Sequence, residues 1–365
     1  MGSDENVGES MGGDEMRRSD VDATRPAPPV RPSPFVDGAA VSVGSLPHLD
    51  PMAAAAFSIA EFDVATIPTL PRRSAAEAMV PQALAGVPGI AVGPAGDVTV
   101  DRRVVDPDHP VTTDLHADPF VGVSAFLDLA RRVKLDGKPV KWQVVGPVTL
   151  GVELERAGLE RSLAFRLAAT VVTSQLIDLS AAVTSALPAS PQMVVLDEPW
   201  LADLMNPGFP IPPDEAIDVM SGALASLPST TLGGLHCCAP CDIATLLAAG
   251  PGVISVPATP DLLAWSGYVT RFLDEGGVVA WGAVPTDGPV PFTSDRAWRD
   301  LSDLWCGFVQ QGCDAVQLRR RSLVTPHCGL SRHSVSVARR IARLTGDVGK
   351  RVKDQSAATR FALGA

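Results

Sequence analysis

A chain of 365 residues with 46% hydrophobic and 19% charged residues carries enough apolar material for a large core, which excludes global disorder. Its formal net charge of -11, with no gathered field of Lys and Arg, excludes a phosphate backbone as a partner, so no nucleic acid is expected. No uninterrupted apolar run reaches the roughly 18 residues of a membrane span, and Met1 to Asp22 lack the apolar segment of a secretory signal, so no membrane partner and a cytoplasmic address with reduced cysteines are expected.

Residues 1–36 read as a disordered acidic tail ending in a proline-rich linker, because Pro26, Pro28, Pro29, Pro32 and Pro34 follow a stretch too polar to bury. Beyond Gly38 short Val- and Ile-rich runs alternate with helical stretches of period 3.6. Strands are predicted at Ala39–Val43, Val64–Ile67, Val140–Val145, Met193–Leu196, Thr230–Leu235, Val253–Val256, Val278–Trp281 and Ser322–Thr325. Helices are predicted near Pro51–Phe62, Val121–Val133, Leu154–Ala182, Asp214–Leu227, Cys241–Ala249, Asp261–Leu273, Asp295–Gln311 and Arg332–Thr345, with Ile90–Val100 an excursion rather than a ninth barrel strand. Eight βα units predict an α/β fold, a (β/α)8 TIM barrel over 37–350, with 351–365 as a C-terminal tail. A doubly wound sheet is the competitor, but no GxGxxG or GxxxxGK[ST] follows any strand.

In such a barrel the reactive groups sit where the strands end. Ser45 and His48 follow the first strand, Asp197 and Glu198 the fourth, His236, Cys237 and Cys238 the fifth, and His327 and Cys328 the eighth. Residues two apart at a strand end point the same way, so His236 and Cys238 converge while Cys237 faces away, and Cys328 reaches the same point from the last strand. One imidazole and two thiolates select zinc and leave a position open for substrate. Cys241, in the CxxC of Cys238 to Cys241, is a further candidate ligand. Asp197 is the candidate catalytic residue, and Ser45, Asp197 and Glu198 are candidate substrate-binding groups, since a hydroxyl and carboxylates at strand ends can hold a zwitterion. The plain alternative for both carboxylates is an N-cap or a surface ion pair, and for Cys306 and Cys313 a buried apolar role.

Val43-Gly44-Ser45-Leu46-Pro47-His48, Ile67 to Ser74, Val145-Gly146-Pro147-Val148-Thr149, Leu196-Asp197-Glu198-Pro199, His236-Cys237-Cys238 and Pro326-His327-Cys328-Gly329-Leu330 occur in this order along the chain. Together, over about 40–345, they resemble the C-terminal catalytic barrel of cobalamin-independent methionine synthase, within the superfamily shared with uroporphyrinogen decarboxylase and the methylcobamide:coenzyme M methyltransferases. The resemblance implies a zinc held by His236, Cys238 and Cys328, and a homocysteine-type thiol whose carboxylate and amine meet Ser45 and Asp197. It also implies a methyl donor of the methyl-folate type or a corrinoid protein. The family's glutamate ligand would follow the sixth strand, where Pro257 stands and cannot ligate, and His327 replaces an acidic residue.

The expected function is therefore a zinc-dependent thiol S-methyltransferase, methionine-synthase-like. Two alternatives come with it. One is a zinc-binding or sulfur-handling barrel without catalysis, suggested by Pro257. The other is a metal-free lyase of the uroporphyrinogen decarboxylase type, for which Arg72 and Arg73 would hold carboxylates.

Overall fold

The computed structural model describes residues 34–362 apart from Val36 and Pro110, together with Met1. Among the described residues the strands are β1 Ala39–Ala40, β2 Ala65–Thr66, β3 Ile90–Val92, β4 Val98–Val100, β5 Val140–Val145, β6 Gln192–Asp197, β7 Leu232–His236, β8 Val253–Pro257, β9 Val278–Val284 and β10 Ser322–Pro326. β3 and β4 form a separate antiparallel pair, the excursion expected from the sequence. The other eight form one parallel sheet in the order β1-β10-β9-β8-β7-β6-β5-β2.

The two edges of that sheet meet. Val64 N donates to Ala40 O at 3.1 Å and Leu46 N to Thr69 O at 2.9 Å, and parallel bridges join Val41 to Val64 and Ser45 to Thr69. Closure removes the unpaired edges that an open sheet would expose, and it gives the (β/α)8 barrel.

Strand parity sorts the core into two layers. Val41, Val64, Met193, Val195, Val253, Val278, Ala280 and Leu323 meet in a cluster of their own, which places them inside the ring. Their sequence neighbours, among them Trp142, Val194, Leu196, Leu235, Ile254, Trp281 and Val324, pack outward against the helices. Being buried on both faces is why these strands read as continuous apolar runs.

Phe35 joins the inner cluster at 2% exposure beside Ala39, so it stoppers the N-terminal end of the ring. The rest of the expected tail, except Met1 and Pro34, lies outside the described residues.

Several expectations need correction. The helix predicted over Leu154–Ala182 is two helices, Pro147–Arg156 and Arg161–Ala186. Gly158, at φ +100°, makes the break, and the Glu160 side chain restarts the helix by accepting from Ser162 N and Leu163 N, each at 3.1 Å. The final helix runs Val335–Ala362, and its Val352 is fully buried, so the boundary set at 350 falls inside a packed helix. Helix Ala315–Arg320, capped by Asp314, was not anticipated.

Arg161–Ala186 is long and apolar enough to cross a membrane by length and composition, although Arg166 and Asp178 interrupt its apolar run as the sequence reading expects. Half of its apolar window is buried inside the protein, where Leu167, Val171, Val172 and Leu176 are fully covered, as in a core helix.

Candidate metal and thiol site

The C-terminal ends of β6, β7, β8 and β10 bring the sequence-predicted residues to one rim. Across the β6–β7 ladder Asp197 pairs with His236, and across the β7–β8 ladder His236 pairs with Ser255. All three share the inward parity of Val195 and Val253.

His236 is 5% exposed, and its Nδ1 lies 3.0 Å from Ser255 Oγ and 3.1 Å from Ser255 O. A bond from Nδ1–H to these oxygens leaves a lone pair on Nε2, and Nε2 is buried without a hydrogen-bond partner. That is the tautomer a metal-binding histidine needs, fixed by an outer oxygen.

Beside the imidazole stands Cys328, on the turn after β10. The Cys238 thiol and the His236 ring hold the Cys328 thiol down to about 4, against the opposing effect of burial. The Cys238 thiol moves the other way, pushed up first by its bond to Cys328 and then by burial. Burial alone would lower His236, but the neighbouring Cys328 and Asp197 outweigh it and raise its pKa. The Cys328 thiol is thus the more acidic of the two, and it meets both the Cys238 thiol and the His236 ring.

Cys237 points the opposite way, as strand parity requires, and is fully buried in the outer core. Its thiol is lowered to about 7, chiefly by a bond with Cys241. Cys241 therefore belongs to the outward pair and not to the rim. Of the other two cysteines, Cys313 is buried as expected, while Cys306 is exposed, because it falls on the outer face of helix Asp295–Gln310.

Ser45 follows β1, bridged to Thr69 on one side and meeting the turn after β10 on the other. Its Oγ is 3.3 Å from Ser331 Oγ, and its carbonyl accepts from Leu330 N at 2.8 Å. A Cβ on Gly329 would come within 2.0 Å of Ser45 Oγ, so a side chain there would push that hydroxyl out of its place.

Asp197 Oδ1 is buried and has no hydrogen-bond partner. Burial raises its pKa, opposed by His236 and Lys141.

Glu198 takes the plain alternative. It is fully buried, and its two oxygens accept from Val148 N at 2.9 Å and Thr149 N at 2.6 Å, which caps the helix that begins at Pro147. Gly146 offers that helix no capping side chain, so the carboxylate of the neighbouring strand does the work. Desolvation still pushes Glu198 up to about 7. The substrate contact expected of Glu198 is corrected accordingly, since its carboxylate is committed to the helix.

His48 is buried against Phe57 at 4.9 Å, and His327 sits at the rim with its pKa lowered by burial. Pro257 ends β8 two residues after Ser255, on the inward parity, and offers no donor atom. Arg73 is bound by Glu77 at 2.7 Å and Asp118 at 2.8 Å, and Arg72 donates to His333 O at 3.1 Å.

Sequence reasoning missed Lys141 and Gln143. Both are buried on the inner face of β5, where Lys141 Nζ donates to Val43 O and, at 2.9 Å, to Gln143 Oε1. Burial lowers Lys141 to about 8, and Asp197 opposes that shift. The signal was present: two polar residues spaced by two in an otherwise apolar strand must share a face.

Among the described residues no group of three or more carboxylates, imidazoles or thiols stands ready to hold a metal ion. His236 and Cys238 each meet Cys328. The donor types, one imidazole and two thiols, are those that zinc takes. A cavity of about 460 Å³ lies elsewhere, lined by Glu160, Arg166, Glu215 and Asp218, and holds none of these groups.

No protein-family model and no curated protein matches the chain. A similar solved structure is that of a Listeria monocytogenes protein provisionally assigned as a vitamin-B12-independent methionine synthase. It is 14% identical, with a TM-score of 0.45 over 71% of this chain and 76% of that one.

Proposed function

We propose that this barrel is a zinc-dependent transferase that moves a methyl group from an activated donor to a small thiol of the homocysteine type. The observation that carries the reading is His236: Nδ1 is tied to Ser255 and Nε2 is bare and buried, beside the contact between Cys238 and Cys328. His236, Cys238 and Cys328 would hold the metal. When bound, zinc would keep the substrate sulfur as a thiolate at neutral pH, the form that attacks carbon.

The chain's own residues supply the rest. Ser45 and Asp197, a hydroxyl and a carboxylate at strand ends, would meet the two ends of an amino-acid zwitterion. The inner wall below them is largely apolar, built by Val41, Val64, Met193, Val195, Val253, Val278, Ala280 and Leu323. In the transfer a sulfur–carbon bond forms as the donor's bond to the methyl carbon breaks. The electron pair of the broken bond stays with the donor, and the thiol proton leaves to solvent.

Metal analysis by plasma mass spectrometry on the purified chain tests this, with Cys238→Ser and Cys328→Ser beside wild type. About one zinc per wild-type chain, lost in both variants, is the expected result. Wild-type protein purified anaerobically with zinc supplied and still free of metal would sink the reading.

A second reading, a metal-binding barrel that performs no transfer, is favoured by Pro257 alone. Addition of homocysteine to the cobalt-substituted protein separates the two, since only a transferase site must change its absorption as sulfur binds. The lyase alternative loses its support because Arg72 and Arg73 are both engaged.

A further inference from the structure

Outside the ring, helix Asp295–Gln310, helix Ala315–Arg320 and the final helix border a second cavity, of about 380 Å³. Ser302, Trp305, Val309, Leu318, Arg319 and Gln355 line it. Its volume lies in the range of about 300–1,000 Å³ that small-molecule sites occupy. Ser302, Trp305 and Val309 follow one another at steps of three and four, so the first helix turns a single face to it.

Two of the lining residues hold polar atoms that the protein leaves unanswered. Trp305 is 5% exposed and meets Trp281 of β9 edge to face, with ring centroids 6.1 Å apart. The Trp281 N–H is given to Ser322 Oγ at 2.7 Å, whereas Trp305 Nε1 is buried with no partner, and so is Ser302 Oγ. Buried polar groups are nearly always hydrogen-bonded, so a pair of exceptions on one cavity asks for a partner from outside the chain. The chemistry of that partner follows from the donors. An indole N–H can only donate, and so can the guanidinium of Arg319. No carboxylate stands among the described residues of the lining, on a chain whose net charge is -11. The missing group is therefore an acceptor, and the one charge on the wall favours an anion. The rest of the wall is apolar: Leu318 is 1% exposed, and Val309, at 42%, stands open to solvent.

We propose that this cavity binds a small amphipathic carboxylic acid. Its carboxylate accepts from Trp305 Nε1–H and the Ser302 hydroxyl and is neutralised by Arg319, while its apolar chain lies along Leu318 and Val309. Such a ligand covers the exposed valine and answers both buried donors at once. Cys306 is exposed and borders the same cavity, so its thiol reports on occupancy.

The test uses the whole chain and calorimetry, with decanoate as the probe and decanol as its uncharged counterpart. Decanoate is expected to bind wild type and to slow the alkylation of Cys306 by iodoacetamide, followed by peptide mass mapping. Trp305→Phe keeps an aromatic ring and removes the N–H, and should weaken decanoate by about 10-fold. Arg319→Gln should weaken it by about 10-fold as well, and this partly exposed position decides if Trp305→Phe does not fold. No binding to wild type, decanol held as tightly as decanoate, or wild-type affinity in folded Trp305→Phe or in Arg319→Gln would overturn the assignment. The zinc reading is tested by metal content alone, so either proposal can fail without the other.

Discussion

Ser255 Oγ lies 3.0 Å from His236 Nδ1 and holds that edge of the ring, while the tautomer is set by the Ser255 carbonyl, which can only accept. The Ser255 carbonyl, at 3.1 Å, provides a second anchor that no side-chain substitution removes. Ser255→Ala is therefore expected to weaken zinc binding by about 10-fold, the lower end for loss of an outer partner. Competition against a chelator of known affinity measures this, and an unchanged constant would make the carbonyl the sole anchor.

Glu198 sits under a helix N-terminus with no solvent contact, and Glu198→Gln leaves one of two buried N–H groups without an acceptor. A cost of about 1–3 kcal/mol at low pH is expected from denaturant unfolding. The pH dependence has a definite sign. The folded pKa of about 7 lies above the ordinary 4.5, so the favourable contribution is complete below about 4.5 and is lost as pH rises through about 7. The stability difference between wild type and Glu198→Gln should shrink over that window, by roughly 3 kcal/mol at most. A difference that does not vary with pH would show that the carboxylate stays ionised throughout.

Lys141 gives a slope at higher pH. Its folded pKa of about 8 lies below the ordinary 10.5, so its contribution is complete above about 10.5 and is lost as pH falls through about 8. Metal-free wild type should gain stability between these values relative to Lys141→Met, by roughly 3 kcal/mol. Parallel stability curves for the two proteins would place the lysine in contact with water.

Phe35→Ala opens the floor of the ring and should cost about 3–5 kcal/mol by the usual measure for a buried aromatic. Because Phe35 packs with Ala39 and Val41 at the end opposite the thiols, zinc content of the folded fraction should stay at the wild-type level. Loss of metal together with stability would mean that the two ends of the barrel are coupled.

The ring was legible in the sequence because its strands are buried on both sides and announce themselves as runs such as Met193–Leu196 and Val278–Trp281. The seam was less so: β1 and β2 are two residues each, and their closure depends on backbone bonds from Val64 and Leu46 that no side-chain pattern encodes. At the site, parity alone separated Cys237 from His236 and Cys238. Two things escaped it. Glu198 looked like a rim carboxylate because sequence does not show that the neighbouring helix starts at Gly146 without a cap. Lys141 was passed over because an apolar strand reads as core, although a lysine inside a closed ring has no route to water.

The Cys328 turn closes on Ser45 across the last seam of the ring, linking residues 286 apart in sequence at the Ser45–Ser331 contact. This has a consequence for the birth of the protein. As the chain leaves the ribosome, His236 and Cys238 emerge with β7, while Cys328 follows 90 residues later. At a synthesis rate of about 5–20 residues per second, the growing chain spends roughly 5–20 s with half of its thiol site made and the other half not yet translated. Uptake of a metal by all three proposed donors would therefore be the last event of assembly, and an occupied site would certify that the ring has closed.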